Sequence, residues 1–125
     1  MREILFRGIR IDNGEWVYGS PVYIDGYVEM YWFDSEKQEI EHTLVAPETV
    51  GQYTGLNDKN GKMIFEGDVI RDTLGRIKAV EFYRGRYYPF IAFPEYYCWS
   101  DDECEVLSNI HDNPKYMIEV KRCEQ

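Results

Sequence analysis

The sequence is poor in the residues that announce an active site. It holds two histidines and three cysteines in 125 residues. Structural zinc sites bring their ligands in close pairs, and His42, Cys98, Cys104 and His111 include no such pair, so zinc is not expected. No Gly-x-Ser-x-Gly, phosphate-binding Gly-x-x-x-x-Gly-Lys or dinucleotide fingerprint occurs. Two lone histidines leave no Cys–His or Ser–His arrangement legible as a nucleophile and its base. A non-enzymatic protein without a cofactor is the expectation. Three cysteines, an odd number, read as reduced thiols and not as a disulfide framework. The opening MREILFRGIR is charged and has no apolar core of the kind a secretion signal needs. No run approaches the ~20 apolar residues of a membrane span. Those absences point to a soluble, cytoplasmic protein without a membrane partner. Linkers, repeats, low-complexity tracts and long amphipathic helices are also missing.

Positive charge is scarce. Fourteen Lys and Arg face twenty-three Asp and Glu, for a net charge of −9. Such a surface repels the phosphate backbone at long range. Only residues 62–90 run the other way, with six bases against four acids. There Arg84 and Arg86 flank Gly85 among Tyr83, Tyr87 and Tyr88, with Arg76 and Lys78 just before. Arginines beside stackable rings can hold single-stranded nucleic acid. The same residues also suit a protein partner, or a solvated hairpin tip whose arginines meet the surplus carboxylates. The net charge disfavours nucleic acid. A third possibility is that the acidic surface mimics nucleic acid and binds a basic host protein.

Aromatic residues are abundant: eleven Tyr, six Phe and three Trp. Tyr and Phe favour pleated, half-buried surfaces, and turn signals recur throughout. Asn13-Gly14 predicts a type I′ hairpin turn and Asp25-Gly26 the next turn. In YVEMYWF, Val28, Met30 and Trp32 alternate with Tyr27, Glu29 and Tyr31, as a strand requires. Pro21 lacks a ladder N–H, so its strand should be an edge or bulged, and such an edge could be covered by a second copy. Residues 34–45 read as a loop, a hairpin arm or a short helix. Pro47 opens a single helical turn. From residue 50 onward, short strands alternate with turns every eight to twelve residues, the rhythm of a small barrel.

The stretch VGQYTGLNDKNGKMIFEGDVIR holds four glycines and six charged side chains. Glu66, Asp68 and Asp58 offer hard oxygen ligands for Mg²⁺ or Ca²⁺, but the ligand series of a calcium loop is absent. The preferred reading is turn chemistry. Gly55, Gly61 and Gly67 bend the chain, and Asp58 and Asp68 tie the bends down through backbone N–H groups. His111-Asp112 is likewise read as part of an Asp112-Asn113-Pro114 turn.

Four blocks carry a family resemblance: ILFRGIRIDNGEWVYG, GQYTGLNDKNGKMIFEGDVI, VEFYRGRYY and EVLSNIHDNP. Together they cover most of the chain, and the second is specific in its Asp-x-Asn-Gly and Glu-Gly-Asp spacing. The chain resembles the YopX family, small proteins of phages, prophages and their bacterial hosts. The resemblance implies a mainly β fold with an SH3-like β-barrel, here expected over residues 48–125 after a β meander over residues 1–47. It implies self-association and supplies no catalytic residue. The expected role is therefore a protein-interaction or self-assembling module, with a homo-oligomer or another protein as partner.

Overall fold

The alternating aromatic and β-branched stretches become strands, and the fold is mainly β. The computed structural model describes residues 3–83, 86–89 and 103–113, with backbone alone at Tyr83, Arg86 and Tyr88. Among them every strand pairing is antiparallel. The chain divides into two compact units between Tyr53 and Thr54.

The first unit contains β1 (Phe6–Ile9), β2 (Trp16–Ile24), β3 (Tyr27–Asp34), β4 (Glu39–Val45), a 3-10 turn (Pro47–Thr49) and the start of β5 (Gly51–Asn57). Its strands lie in the order β4-β3-β2-β1-β5. β2 changes partner along its length. Trp16 to Gly19 pair with β1, and Ser20 to Ile24 pair with β3. Pro21 falls in that second half, opposite Met30. Residues 39–45 settle as the arm of a hairpin. The sheet then curls back on itself, because Arg10 bridges Val45, Ile11 N–H donates to Leu44 O (3.1 Å) and Ala46 N–H donates to Ile9 O (2.9 Å). Val28, Met30 and Val45 fill the inside, with Phe6, Val17 and Val50 packed against them. Thr49 secures the seam, accepting from Ile9 N–H (2.9 Å) and donating to Ala46 O (2.6 Å). Arg7 is buried with its guanidinium 4.4 Å from the Trp16 ring centroid, a cation–π contact.

Two turns separate sharply. Asp25 and Gly26 both have positive φ (46° and 87°), as a type I′ turn requires. Asn13-Gly14 departs from its expected type I′ turn, since only Gly14 has positive φ. Arg10 N–H donates to Glu15 O (2.8 Å) across a longer loop, and the Asn13 side chain accepts from Glu15 N–H (2.9 Å). An Asx turn satisfies Asn13 without forcing it into the left-handed region.

The second unit holds the end of β5, β6 (Met63–Phe65), β7 (Asp68–Arg71), β8 (Ile77–Ala79), β9 (Glu81–Tyr83), β10 (Arg86–Tyr88) and β11 (Glu105–Asn109). β6 lies beside β5, β7 sits between β11 and β8, and β9 pairs with β10. Ile64, Ile70, Val80, Cys104 and Val106 form its core, with Leu56 against them. No closed barrel forms among the described residues, whose ladders remain in separate sheets. Where β8 ends, Val80 turns its backbone to β7, donating to Asp68 O and accepting from Gly67 N–H (both 2.8 Å). No described helix is long and apolar enough to cross a membrane.

Candidate interaction surface

A sheet with one buried face normally turns polar residues outward. β3 follows that rule with Val28 and Met30 inside, but β4 departs from it, with Ile40 and Leu44 exposed. Cross-strand registry places Ile24 opposite Tyr27, Val22 opposite Glu29 and then Leu44, Ser20 opposite Tyr31 and then His42, and Phe33 opposite Ile40. Direct partners share a face, so these residues form one surface. It points away from Val28, Met30 and Val45. Ile40 is 70% exposed, Tyr27 64% and Phe33 59%, and Val22, Ile24 and Leu44 are also exposed. The inward positions of β4 next to Val45 are Glu41 and Thr43, both half-buried. Apolar side chains thus sit in water while a carboxylate and a hydroxyl face inward.

Three polar side chains occupy the middle of this face. The Tyr31 hydroxyl donates to Glu29 Oε2 (2.9 Å), and His42 Nδ1 lies 3.6 Å from Glu29 Oε1. The Tyr31 and His42 rings stack with centroids 4.9 Å apart and planes 18° off parallel. The bond to Glu29, then partial burial, pushes the Tyr31 phenol up. Ser20 shares the row, but Tyr31 stands between it and His42. Two strand spacings of about 4.8 Å each put the Ser20 hydroxyl beyond hydrogen-bond reach of the imidazole. The cluster is therefore a satisfied polar patch within an apolar surface, not a nucleophile with its base.

The basic segment is arranged differently. In the β9–β10 hairpin, Tyr83 stands opposite Arg86, Phe82 opposite Tyr87 and Glu81 opposite Tyr88. The Phe82 and Tyr87 rings pack 5.1 Å apart. Arg84 and Gly85 lie outside the described residues. Arg76 is not part of this hairpin: it forms an ion pair with Asp72 in the turn before β8. Burial pushes the Asp72 carboxyl up, but Arg76 and the backbone N–H groups of Arg76 and Leu74 outweigh it and hold it low. Lys78 lies in β8 opposite Ile70 and is half-buried.

The acids and glycines of the central segment shape backbone. Asp58 Oδ1 accepts from Asn60 and Lys62 N–H (both 2.9 Å), and its Oδ2 accepts from Val106 N–H (3.0 Å). Asp68, fully buried, accepts from Phe65 N–H (2.7 Å) across the turn that contains Gly67. Gly55, Gly61 and Gly67 all have positive φ. Near the end of the described chain, Asn109 Oδ1 accepts from His111 and Asp112 N–H (3.0 and 2.8 Å), an organising role the sequence did not suggest. Among the described residues no group of three or more His, Cys, Asp or Glu is placed to hold a metal ion. Cys104 is core, and Cys98 and Cys123 lie outside the described residues.

A family model described as YopX protein matches residues 5–118. No curated protein matches the chain. Among solved structures, the crystal structure of protein EF1440 from Enterococcus faecalis is similar, with a TM-score of 0.61 at 22% identity, over 94% of this chain and 99% of that one. At that identity the likeness speaks for the fold alone.

Proposed function

The chain belongs to the YopX family, and from that premise we propose that it is a non-enzymatic protein-interaction module whose binding surface is the outward face of β2–β4. One observation carries the reading: β4 exposes Ile40 and Leu44 while Glu41 and Thr43 face inward. Burying Ile40 and Leu44 against the core would have been worth about 25 cal/mol per Å². A chain that exposes them instead keeps that gain for association. Aromatic anchors such as Tyr27 and Phe33 are the side chains that dominate interface energetics. In this reading the protein is cytoplasmic and associated with phage or prophage, as the family resemblance implies. The second unit follows the SH3-like plan; its succession of short antiparallel strands supports that.

Affinity capture from the native host, run with wild type and Phe33→Ser/Ile40→Ser side by side, tests the proposal. Proteins held by wild type and lost from the variant are the expected result. Identical capture by both overturns it.

Nucleic-acid binding along Tyr83–Tyr88 is the weaker reading, because Arg76 already carries the Asp72 carboxylate and the chain is acidic.

A further inference from the structure

Two Asn-Gly pairs occur in the chain, Asn13-Gly14 and Asn60-Gly61. In such a pair the glycine main-chain nitrogen, unhindered by a side chain, can attack the asparagine Cγ. The new N–Cγ bond closes a succinimide ring, and the Cγ–Nδ2 bond breaks with release of ammonia. Water then opens the ring to aspartate, or to isoaspartate, in which the main chain runs through the former side chain. Both pairs lie in exposed turns. Both glycines have positive φ, and a Cβ on either would meet nothing within 4 Å. Each glycine N–H donates to a carbonyl, Gly14 to Arg10 O (3.0 Å) and Gly61 to Asp58 O (2.9 Å). The two nucleophiles are therefore matched.

The side chains they attack are not. Asn13 is held at both ends of its amide: Oδ1 accepts from Glu15 N–H (2.9 Å), and Nδ2 lies 3.5 Å from Glu15 Oε2. The Asn60 side chain is exposed and makes no hydrogen bond to any described residue. Lys59 and Lys62 flank it, and nearby cations ease loss of the glycine N–H proton. The Asp58 carboxylate opposes this, but its oxygens already meet three backbone N–H groups. We infer that Asn60 is where the folded protein modifies itself, and that the change releases the hold of Asp58 on β11. This reaction does not depend on the role proposed for the β2–β4 face. Asp58 accepts from the N–H groups of Asn60, Gly61 and Lys62 while its Oδ2 accepts from Val106 N–H. Isoaspartate lengthens the main chain between the first two of these donors and so misplaces them. Either product also sets a new carboxylate two residues from Asp58, and like charges repel.

The test keeps the full chain folded at mildly alkaline pH, with a parallel sample in concentrated urea, and follows residues 13 and 60 by peptide mass spectrometry. In urea the two sites should convert at similar rates. In the folded chain Asn60 should convert roughly two- to tenfold faster than Asn13, the factor that one broken hydrogen bond supplies. Aged wild type should unfold at lower urea than fresh protein. Aged Asn60→Gln, whose side chain would have to close a larger ring, should unfold where fresh Asn60→Gln does. Conversion of Asn13 as fast as Asn60 in the folded chain overturns the choice of site. An Asn60 that stays intact while the urea sample converts overturns the reaction, and names the turn's own hydrogen bonds as its protection. Converted protein as stable as fresh protein overturns the release of Asp58, as does an equal loss of stability in aged Asn60→Gln.

Discussion

A Cβ placed on Gly19 would stand 2.0 Å from the carbonyl oxygen of Tyr31 and 2.9 Å from its carbonyl carbon. This is where β2 leaves β1 and takes up β3, so the backbone of β3 passes directly over the bend. The obstacle is main chain, which cannot rotate aside as a side chain would. Gly19→Ala is therefore expected to destabilise the first unit by about 1–3 kcal/mol, the usual cost of overpacking. Urea unfolding measures it, with Ser20→Ala as the neighbour that should change little. A Gly19→Ala protein as stable as wild type would show that β3 can shift to make room.

Asp58 ties the turn after β5 to Val106 in β11, forty-eight residues later. Asp58→Ala leaves the buried Val106 N–H without its acceptor, while the Asn60 and Lys62 N–H groups can turn to water. An unsatisfied buried donor costs about 1–3 kcal/mol, and a loss of that size is expected in chemical unfolding. Asp58→Asn keeps one acceptor oxygen and should lose less.

The same carboxylate makes stability depend on pH. Burial pushes Asp58 up, but the N–H groups of Val106, Lys62 and Asn60, with the Lys62 charge, outweigh it and hold the group below the usual carboxylate range. Its folded pKa thus lies below its unfolded one, near 4. The stabilisation is present above about pH 4 and is lost as pH falls through the folded value. Asp72, held low despite burial by Arg76 and nearby N–H groups, acts in the same direction. The unfolding midpoint should be flat near neutrality and drop on acidification below about pH 4. Asp58→Asn should flatten that drop, and an unchanged acid limb would refute the assignment.

These ties explain which parts of the molecule were legible in the sequence. Period-two alternation in YVEMYWF marked the strand and set Val28 and Met30 on one side of it, because a strand turns successive side chains to opposite faces; that this side is the buried one comes from the structure. The acids of the central segment were legible as turn residues because Asx geometry is local. The Asp58–Val106 bond was not, since nothing in either residue's neighbourhood encodes a partner forty-eight positions away. The outward face escaped for a different reason. In EIEHTLV, Ile40 and Leu44 alternate with Glu41 and Thr43, and only pairing with Phe33 and Glu29 reveals that the apolar set faces out. Sequence reasoning favoured the tyrosines and arginines of Tyr83–Tyr88, where composition is loudest.

Tyr31 should report on Glu29. The phenol is pushed up chiefly by the bond it donates to that carboxylate, which stabilises the protonated form. Glu29→Gln removes the charge, so the Tyr31 pKa should fall toward the ordinary tyrosine range. Ring-carbon NMR of tyrosine-labelled protein against pH resolves this, with Tyr31→Phe assigning the signal. A Tyr31 titration unmoved by Glu29→Gln would mean that partial burial, not Glu29, sets the shift.

Residues near the two ends of β4, on its opposite faces, offer the sharpest contrast. Val45 is 1% exposed and packs with Met30 and Val28, whereas Ile40 is 70% exposed across from Phe33. Val45→Ala removes buried methyl groups and leaves a cavity, at an expected cost of about 1–3 kcal/mol. Phe33→Ser/Ile40→Ser forfeits a cross-strand apolar pair worth about 0.2–1 kcal/mol and should move the thermal midpoint little. If the face exists for binding, its loss should leave the fold intact and the protein more soluble, because apolar surface is replaced by hydroxyls. Unfolding of Phe33→Ser/Ile40→Ser at a cost matching Val45→Ala would instead mark the outward face as part of the first unit's own packing.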